Sequence, residues 1–176
     1  AVCASRGLGY VYKRQVIVGY GSTEGATTTG EVLGIGVHMA TAIADAAAAR
    51  RDYLDETGGR YVHVIADGDI STSGDLAKAI ACGADAAVLG APLAVAAEAP
   101  GGGWFWPSAA AHPSVPRGAL LPVAAGERPS LDRVLTGPSD DPYGSLNLVG
   151  GHRRSMAKSG YSDLKEFQKV GLTVRA

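Results

Sequence analysis

The sequence predicts an α/β fold built on a parallel sheet. Short runs rich in β-branched and small apolar residues at 16–18, 61–66 and 86–89 are each followed within two residues by glycine, as buried strands ending in loops are. Alanine-rich stretches of high helix propensity lie between them at 41–53 and 73–81. The 176 residues hold 25 Gly against only 2 Phe and 2 Trp, a composition that suits helices packed closely on a sheet. Strand, helix, strand, helix, strand in that order makes the sheet parallel and its crossovers right-handed.

Residues 1–15 show no periodicity and are expected to be a leader of artefactual origin, with the domain proper at 16–176. Val16-Ile17-Val18 opens the pattern and ends at Gly19, and a Gly-, Ser- and Thr-rich loop runs over 19–30. The helix at 41–53 ends in basic residues and is broken at Gly58-Gly59. The strand at 61–66 leads into Asp67-Gly68. Ser73 is expected to cap the helix at 73–81, and Gly83 to stop it. The third strand, 86–89, closes at Gly90. Beyond Pro92 the pattern is lost: residues 100–129 are rich in Gly, Pro and Ala, carry Trp104 and Trp106, and read as a long irregular flap. An amphipathic helix follows at 146–158. Ser162 is expected to cap a last helix at 163–169, and 170–174 to form a terminal strand. Three strands cannot close a barrel by themselves, and their edges predict association of the isolated chain.

Bulk properties exclude several classes. With 46% hydrophobic and 19% charged residues the chain is an ordinary globular one, and a net charge of −1 leaves no basic footprint for nucleic acid. Cys3 and Cys82 form neither a disulfide framework nor a metal motif, and Cys82 reads as a small buried residue. His63 and His112 have no metal partner at useful spacing, so no metal site is expected. No run of about 18 apolar residues suggests a membrane span, and residues 1–15 lack the apolar core of a signal peptide. A cytoplasmic location is the expectation.

The most informative stretch is residues 64–91. A strand ends in Asp67-Gly68, a helix opens at Ser73-Gly74-Asp75, and the next strand ends at Gly90. Backbone N–H groups at Gly68 and Gly90, with a helix N-terminus, can converge on one phosphate. Asp67 is placed to accept hydrogen bonds from ribose hydroxyls. Such a grip is common after strands seven and eight of (β/α)8 barrels. The same residues also serve ordinary β-α turns.

The run D-G-D-I-S-T-S-G-D-L-A-K-A-I-A-C-G-A-D-A-A-V-L-G-A, residues 67–91, resembles the D-G-G-I-x-x-S-G-D-x-x-K-A-x-A-x-G-A-x-x-V-M-x-G signature of IMP dehydrogenases and GMP reductases. The likeness extends upstream through E-V-L-G-I-G-V. Downstream, L-N-L-V-G-G-H-R-R-S-M-A-K-S-G-Y-S-D-L-K-E-F-Q-K is similar to the tail of the family's IMP dehydrogenase-related branch. The resemblance implies a (β/α)8 TIM barrel of which this is the C-terminal portion only: strands six to eight, the flap and the C-terminal helices.

Carried onto this chain, the resemblance implies that Asp67 holds the ribose of a purine nucleoside monophosphate, and that Gly68 and Gly90 contact its phosphate through backbone N–H. Asp69 stands where the family has glycine, putting a carboxylate beside a phosphate. Ala91 stands where serine is usual, removing a hydroxyl donor worth around 1 kcal/mol. In the family's G-P-G-x-x-C-T-T-R loop the cysteine attacks purine C2. Here Thr27 holds that position and Gly30 replaces the arginine. A threonine hydroxyl without an activating base is a poor nucleophile. The glycines of this loop do not align without a gap, which argues against a monovalent-cation site. In the flap, Pro107-Ser108 stand where a Gly-Met pair binds the base.

The implied activity is NAD-dependent oxidation of IMP to XMP in guanine nucleotide biosynthesis. The alternatives are an NADPH-dependent GMP reductase, a non-catalytic nucleotide-binding fragment, and a gene-fragment product without independent function. The cofactor is NAD or NADP by resemblance. The parent protein is expected to be a homo-oligomer, and the chain by itself inactive because of Thr27.

Overall fold

The computed structural model of the chain describes residues 14–19, 34, 36–68, 70–106, 111–112, 115–116, 121–123 and 126–173. Three strands, β1 (Gln15–Val18), β2 (His63–Asp67) and β3 (Ala86–Val88), form a parallel sheet in the order β1-β2-β3. Helices α1 (Met39–Glu56) and α2 (Ser73–Ala81) are the crossovers, as the alternating pattern predicts. β1 starts one residue earlier than expected, and the Arg14 carbonyl accepts the His63 N–H at 2.8 Å. β2 starts later, because Tyr61 and Val62 precede the ladder.

One face of the sheet is covered: Val18, Val64 and Ala66 are buried, and Ile43 of α1 joins Leu76, Ala77 and Ile80 of α2 in the core above Ala66. On the other face Ile17 is 57% exposed and Val88 42%. A β-α-β unit with one apolar face open is half of a two-sided arrangement.

Helix boundaries differ from expectation in instructive ways. Thr72, not Ser73, caps α2: its hydroxyl accepts the Asp75 N–H, and the Asp75 carboxylate accepts the Thr72 N–H, a reciprocal capping box. Asp75 sits three residues after Thr72, whereas three after Ser73 stands Leu76, which has no such group. Gly83, at φ +114°, follows the helix end as anticipated. Cys82 is the C-cap, half-buried, and burial pushes its thiol pKa up.

The flap is less irregular than its composition suggests. A short helix α3 (Ala91–Ala94) is followed by β4 (Trp104–Phe105), β5 (Ala111–His112), β6 (Val115–Pro116) and β7 (Leu121–Pro122). β4 pairs antiparallel with β7, and β5 with β6. The ladders are two residues long, too short for any periodicity to betray them. Then come α4 (Leu131–Thr136), α5 (Leu148–Lys158) and α6 (Leu164–Phe167). Asp163 rather than Ser162 caps α6, accepting the Lys165 and Glu166 N–H groups. Among the described residues no strand follows: residues 170–173 are irregular, and residue 174 of the expected 170–174 strand lies outside them.

Two clusters make the core. The larger joins α1, β2, α2, Met156 of α5 and Phe167 of α6; the smaller joins Ala96, Val134 and Leu148. His152 of α5 is buried, 7% exposed, and neither ring nitrogen has a hydrogen-bond partner among the described residues. It meets Phe167 edge to face at 5.6 Å, and burial pushes its pKa down.

At the N-terminal ends of the strands, Asp85 gathers partners from four segments. Its side chain is 7% exposed. It accepts Arg50 Nη1 of α1 at 2.8 Å, Tyr61 OH at 2.7 Å and the Val64 N–H at 2.9 Å. Lys165 of α6 and, at 3.2 Å, Gln168 Nε2 complete the set. Two cations approach the Tyr61 ring, Arg50 at 5.0 Å and Lys165 at 4.3 Å from its centroid. Burial opposes ionisation of Asp85, but hydrogen bonds from Lys165, Val64, Tyr61 and Gln168 outweigh it and hold the carboxyl far below the usual range.

Asp85→Ala leaves Arg50 buried without its partner and is expected to cost about 3 kcal/mol in urea unfolding. Because the folded pKa is depressed, this carboxylate's contribution is complete above the unfolded value of about 4 and is lost as pH falls below it. Stability of the wild type is therefore expected to drop more steeply below about pH 4 than that of Asp85→Asn, measured by urea midpoints across pH. His152→Leu removes two unsatisfied nitrogens from the core and is expected to raise stability by about 1 kcal/mol in the same assay.

Candidate functional site

The C-terminal ends of the three strands share one edge, where parallel α/β folds place their ligands. The register is tight: Val18 pairs with Ala66, Ala66 with Ala87, and Asp67 with Val88. Gly19, Gly68 and Gly90 each follow the last strand positions and come together on this edge. Gly19 has a structural reason to be glycine. A Cβ there would lie 1.7 Å from the Asp67 carbonyl oxygen, so only a bare Cα lets β1 end against β2. Asp67 and Gly68 are half-buried and Gly90 is exposed.

Ala91 is buried with Pro92 at the first positions of α3. Thr27 and Asp69 lie outside the described residues, as does the 19–30 loop beyond Gly19. The edge thus brings together Asp67, Gly68, Gly90 and Ala91 of the sequence-predicted set.

The start of α2 is not open to a ligand in the way the sequence suggests. The Ser73 N–H donates to the Gly144 carbonyl at 2.8 Å, and the Asp75 N–H to Thr72 Oγ1 at 3.1 Å. Asp75 also draws Ser71 and Thr72 hydroxyls onto its carboxylate, at 3.2 and 2.7 Å. Gly144 belongs to a turn held by Asp141, which accepts N–H groups from Tyr143 at 3.0 Å and Ser145 at 2.6 Å. These amides are spoken for, and a carboxylate sits among them. Among the described residues, Gly68 and Gly90 are the glycines at the ends of β2 and β3 whose backbone can approach an anion at this edge.

Beside Gly90 the flap stem and α3 enclose an apolar groove of about 420 Å³, lined chiefly by Leu93, Trp104, Phe105, Trp106 and Leu131. Trp104 and Trp106 are partly exposed there. Phe105, which the sequence does not single out, is the ring that packs on the sheet end. The root of the flap is fastened by Arg128, whose guanidinium donates to the Ala96 and Ala97 carbonyls at 3.0 and 2.9 Å. Glu98 Oε2 accepts the Leu131 N–H at 2.8 Å. Aromatic faces suit a flat ring, but no Lys or Arg lines the groove among the described residues. Among the described residues, no three His, Cys, Asp or Glu side chains group as a metal would require. No helix among them is long and apolar enough to cross a membrane.

The family model described as IMP dehydrogenase / GMP reductase domain matches residues 8–114. The chain belongs to this family. It is 84% identical over 159 residues to a protein of Mycolicibacterium smegmatis named uncharacterized oxidoreductase, covering 90% of this chain and 42% of that protein. It is 34% identical over 164 residues to inosine-5'-monophosphate dehydrogenase of Methanocaldococcus jannaschii, covering 81% of this chain and 32% of that enzyme. The crystal structure of an IMP dehydrogenase/GMP reductase-like protein from Corynebacterium glutamicum superposes with a TM-score of 0.83 at 60% identity, covering 92% of this chain. The chain spans 42% of the length of that structure.

Gly19→Ala tests the strand-end contact. The added methyl must displace the Asp67 carbonyl, and a loss of about 2 kcal/mol in urea unfolding is expected.

Proposed function

We propose that this chain is the C-terminal portion of a (β/α)8 barrel, residues 16–176 with β1 to β3 as strands six to eight, and that its strand edge holds a purine nucleoside monophosphate. One observation carries the reading: in a member of this family, Asp67, Gly68 and Gly90 meet at the C-terminal edge of one parallel sheet. Asp67 accepts the ribose hydroxyls, and the Gly68 and Gly90 amides take the phosphate. The open sheet face bearing Ile17 and Val88 becomes barrel interior when the other strands are present.

The parent activity is oxidation of IMP to XMP with water, a nicotinamide cofactor taking the hydride. NAD is the favoured cofactor, and GMP reduction with NADPH is the second reading. In this chain Thr27 holds the nucleophile position. With no thiolate to add to purine C2, the chain holds nucleotide without turning it over.

Calorimetric titration of the chain is expected to show IMP binding more tightly than inosine. Asp67→Ala is expected to weaken IMP binding about tenfold, the scale of a hydrogen bond to a charged group, and Asp69→Gly to tighten it by removing a carboxylate from the phosphate's surroundings. Equal affinity for IMP and inosine would defeat the phosphate assignment. Thr27→Cys alone is expected to produce no NADH from IMP, since this chain spans only 42% of the length of its relative from Mycolicibacterium smegmatis. Measurable turnover would sink that claim.

A further inference from the structure

Gly90 closes β3 and opens the flap, and the ring of Phe105 lies against it. A Cβ built on Gly90 would stand 3.1 Å from Cζ and 3.2 Å from Cε2 of that ring. The ring therefore occupies the volume that a side chain at position 90 would take. Gly90 also caps α3, its carbonyl accepting the Leu93 N–H at 3.0 Å, so its backbone is set by the helix start on one side and by the Phe105 ring on the other.

Phe105 is itself well held. It pairs with Leu121 across the β4–β7 ladder, and the stem is extended by the Val123 N–H donating to the Gly103 carbonyl at 2.9 Å. Below it, Ala97 N–H reaches the Pro129 carbonyl at 2.7 Å, and Arg128 binds the turn after α3. The stem is a braced platform, and the Phe105 ring reaches the sheet end at Gly90.

We infer that Phe105 is a positioning residue for the nucleotide phosphate, setting the Gly90 backbone from behind and tying the phosphate grip to the flap stem. This rests on the reading of Gly90 as a phosphate contact. A backbone amide binds an anion only when aimed at it, and a displacement of an ångström at such a donor weakens the contact severalfold or more. Linkage runs both ways: an anion that fixes Gly90 also favours the stem position that presents the ring.

The test compares IMP with inosine, which lacks the phosphate, by calorimetry on the full chain and its variants, with melting temperature followed in parallel. Phe105→Ala is expected to cut the IMP-to-inosine affinity ratio about tenfold while changing inosine affinity less than about twofold. Phe105→Leu, which restores apolar bulk behind the glycine, is expected to recover most of the ratio. A folded Phe105→Ala that keeps the wild-type ratio overturns the inference and leaves the nucleotide reading standing. A wild type that does not distinguish IMP from inosine overturns both. Should Phe105→Ala fail to fold, Phe105→Val carries the same comparison, and an unchanged ratio there overturns the inference equally.

Discussion

The architecture depends on one buried carboxylate. Asp85 stands at the entry to β3 and draws together α1, the approach to β2, β2 itself and α6, segments between 21 and 80 residues away in sequence. A charge so enclosed is tolerated only when it is paired and its lone pairs are filled. Here an arginine, a lysine, a phenol and a backbone amide fill them. The residue also brackets Val64 from both sides, donating its N–H to the Val64 carbonyl at 2.7 Å while its side chain accepts the Val64 N–H. That double contact starts the β2–β3 ladder and leaves Ile65 opposite Ala86. A slip of one residue would turn every side chain of the strand to the wrong face.

From that register the far edge follows. With Ile65 opposite Ala86, Asp67 falls opposite Val88, and the glycines after each strand become neighbours. Gly19 packs on the Asp67 carbonyl from one side, and the flap returns from the other to set Phe105 against Gly90. The edge is assembled by backbone proximity more than by side-chain contacts. This suits a phosphate, which is held best by oriented N–H groups.

Much of this was legible in the residues, and the exceptions have physical causes. The three strands and two crossovers announced themselves through β-branched runs, alanine-rich helices and terminal glycines. The caps of α2 and α6 were displaced by one residue because each helix is preceded by adjacent residues able to cap. In α2 the spacing to Asp75 decides between them, and in α6 Asp163 takes the cap by accepting the Lys165 and Glu166 N–H groups. The ladders of the flap left no trace, since two residues carry no period. Asp85 reads in sequence as an ordinary turn aspartate: nothing local shows that Arg50 and Lys165 converge on it. His152 reads as one more polar position on an amphipathic helix, and only packing reveals it as buried. At the candidate site, Asp67, Gly68 and Gly90 stood out by motif. Phe105 did not, because its role depends on a fold-back from beyond the end of β3.

The two ends of β2 perform separate duties. Val64, in the grip of Asp85, and Asp67, on the ligand edge, lie roughly 10 Å apart along the strand. At such separations the effects of substitutions become close to additive. Substitutions at Asp67 and beyond it on that edge are therefore expected to leave the scaffold that Asp85 maintains largely undisturbed. A strand organised in this way lets its ligand edge vary in sequence while the frame at its other end stays insulated.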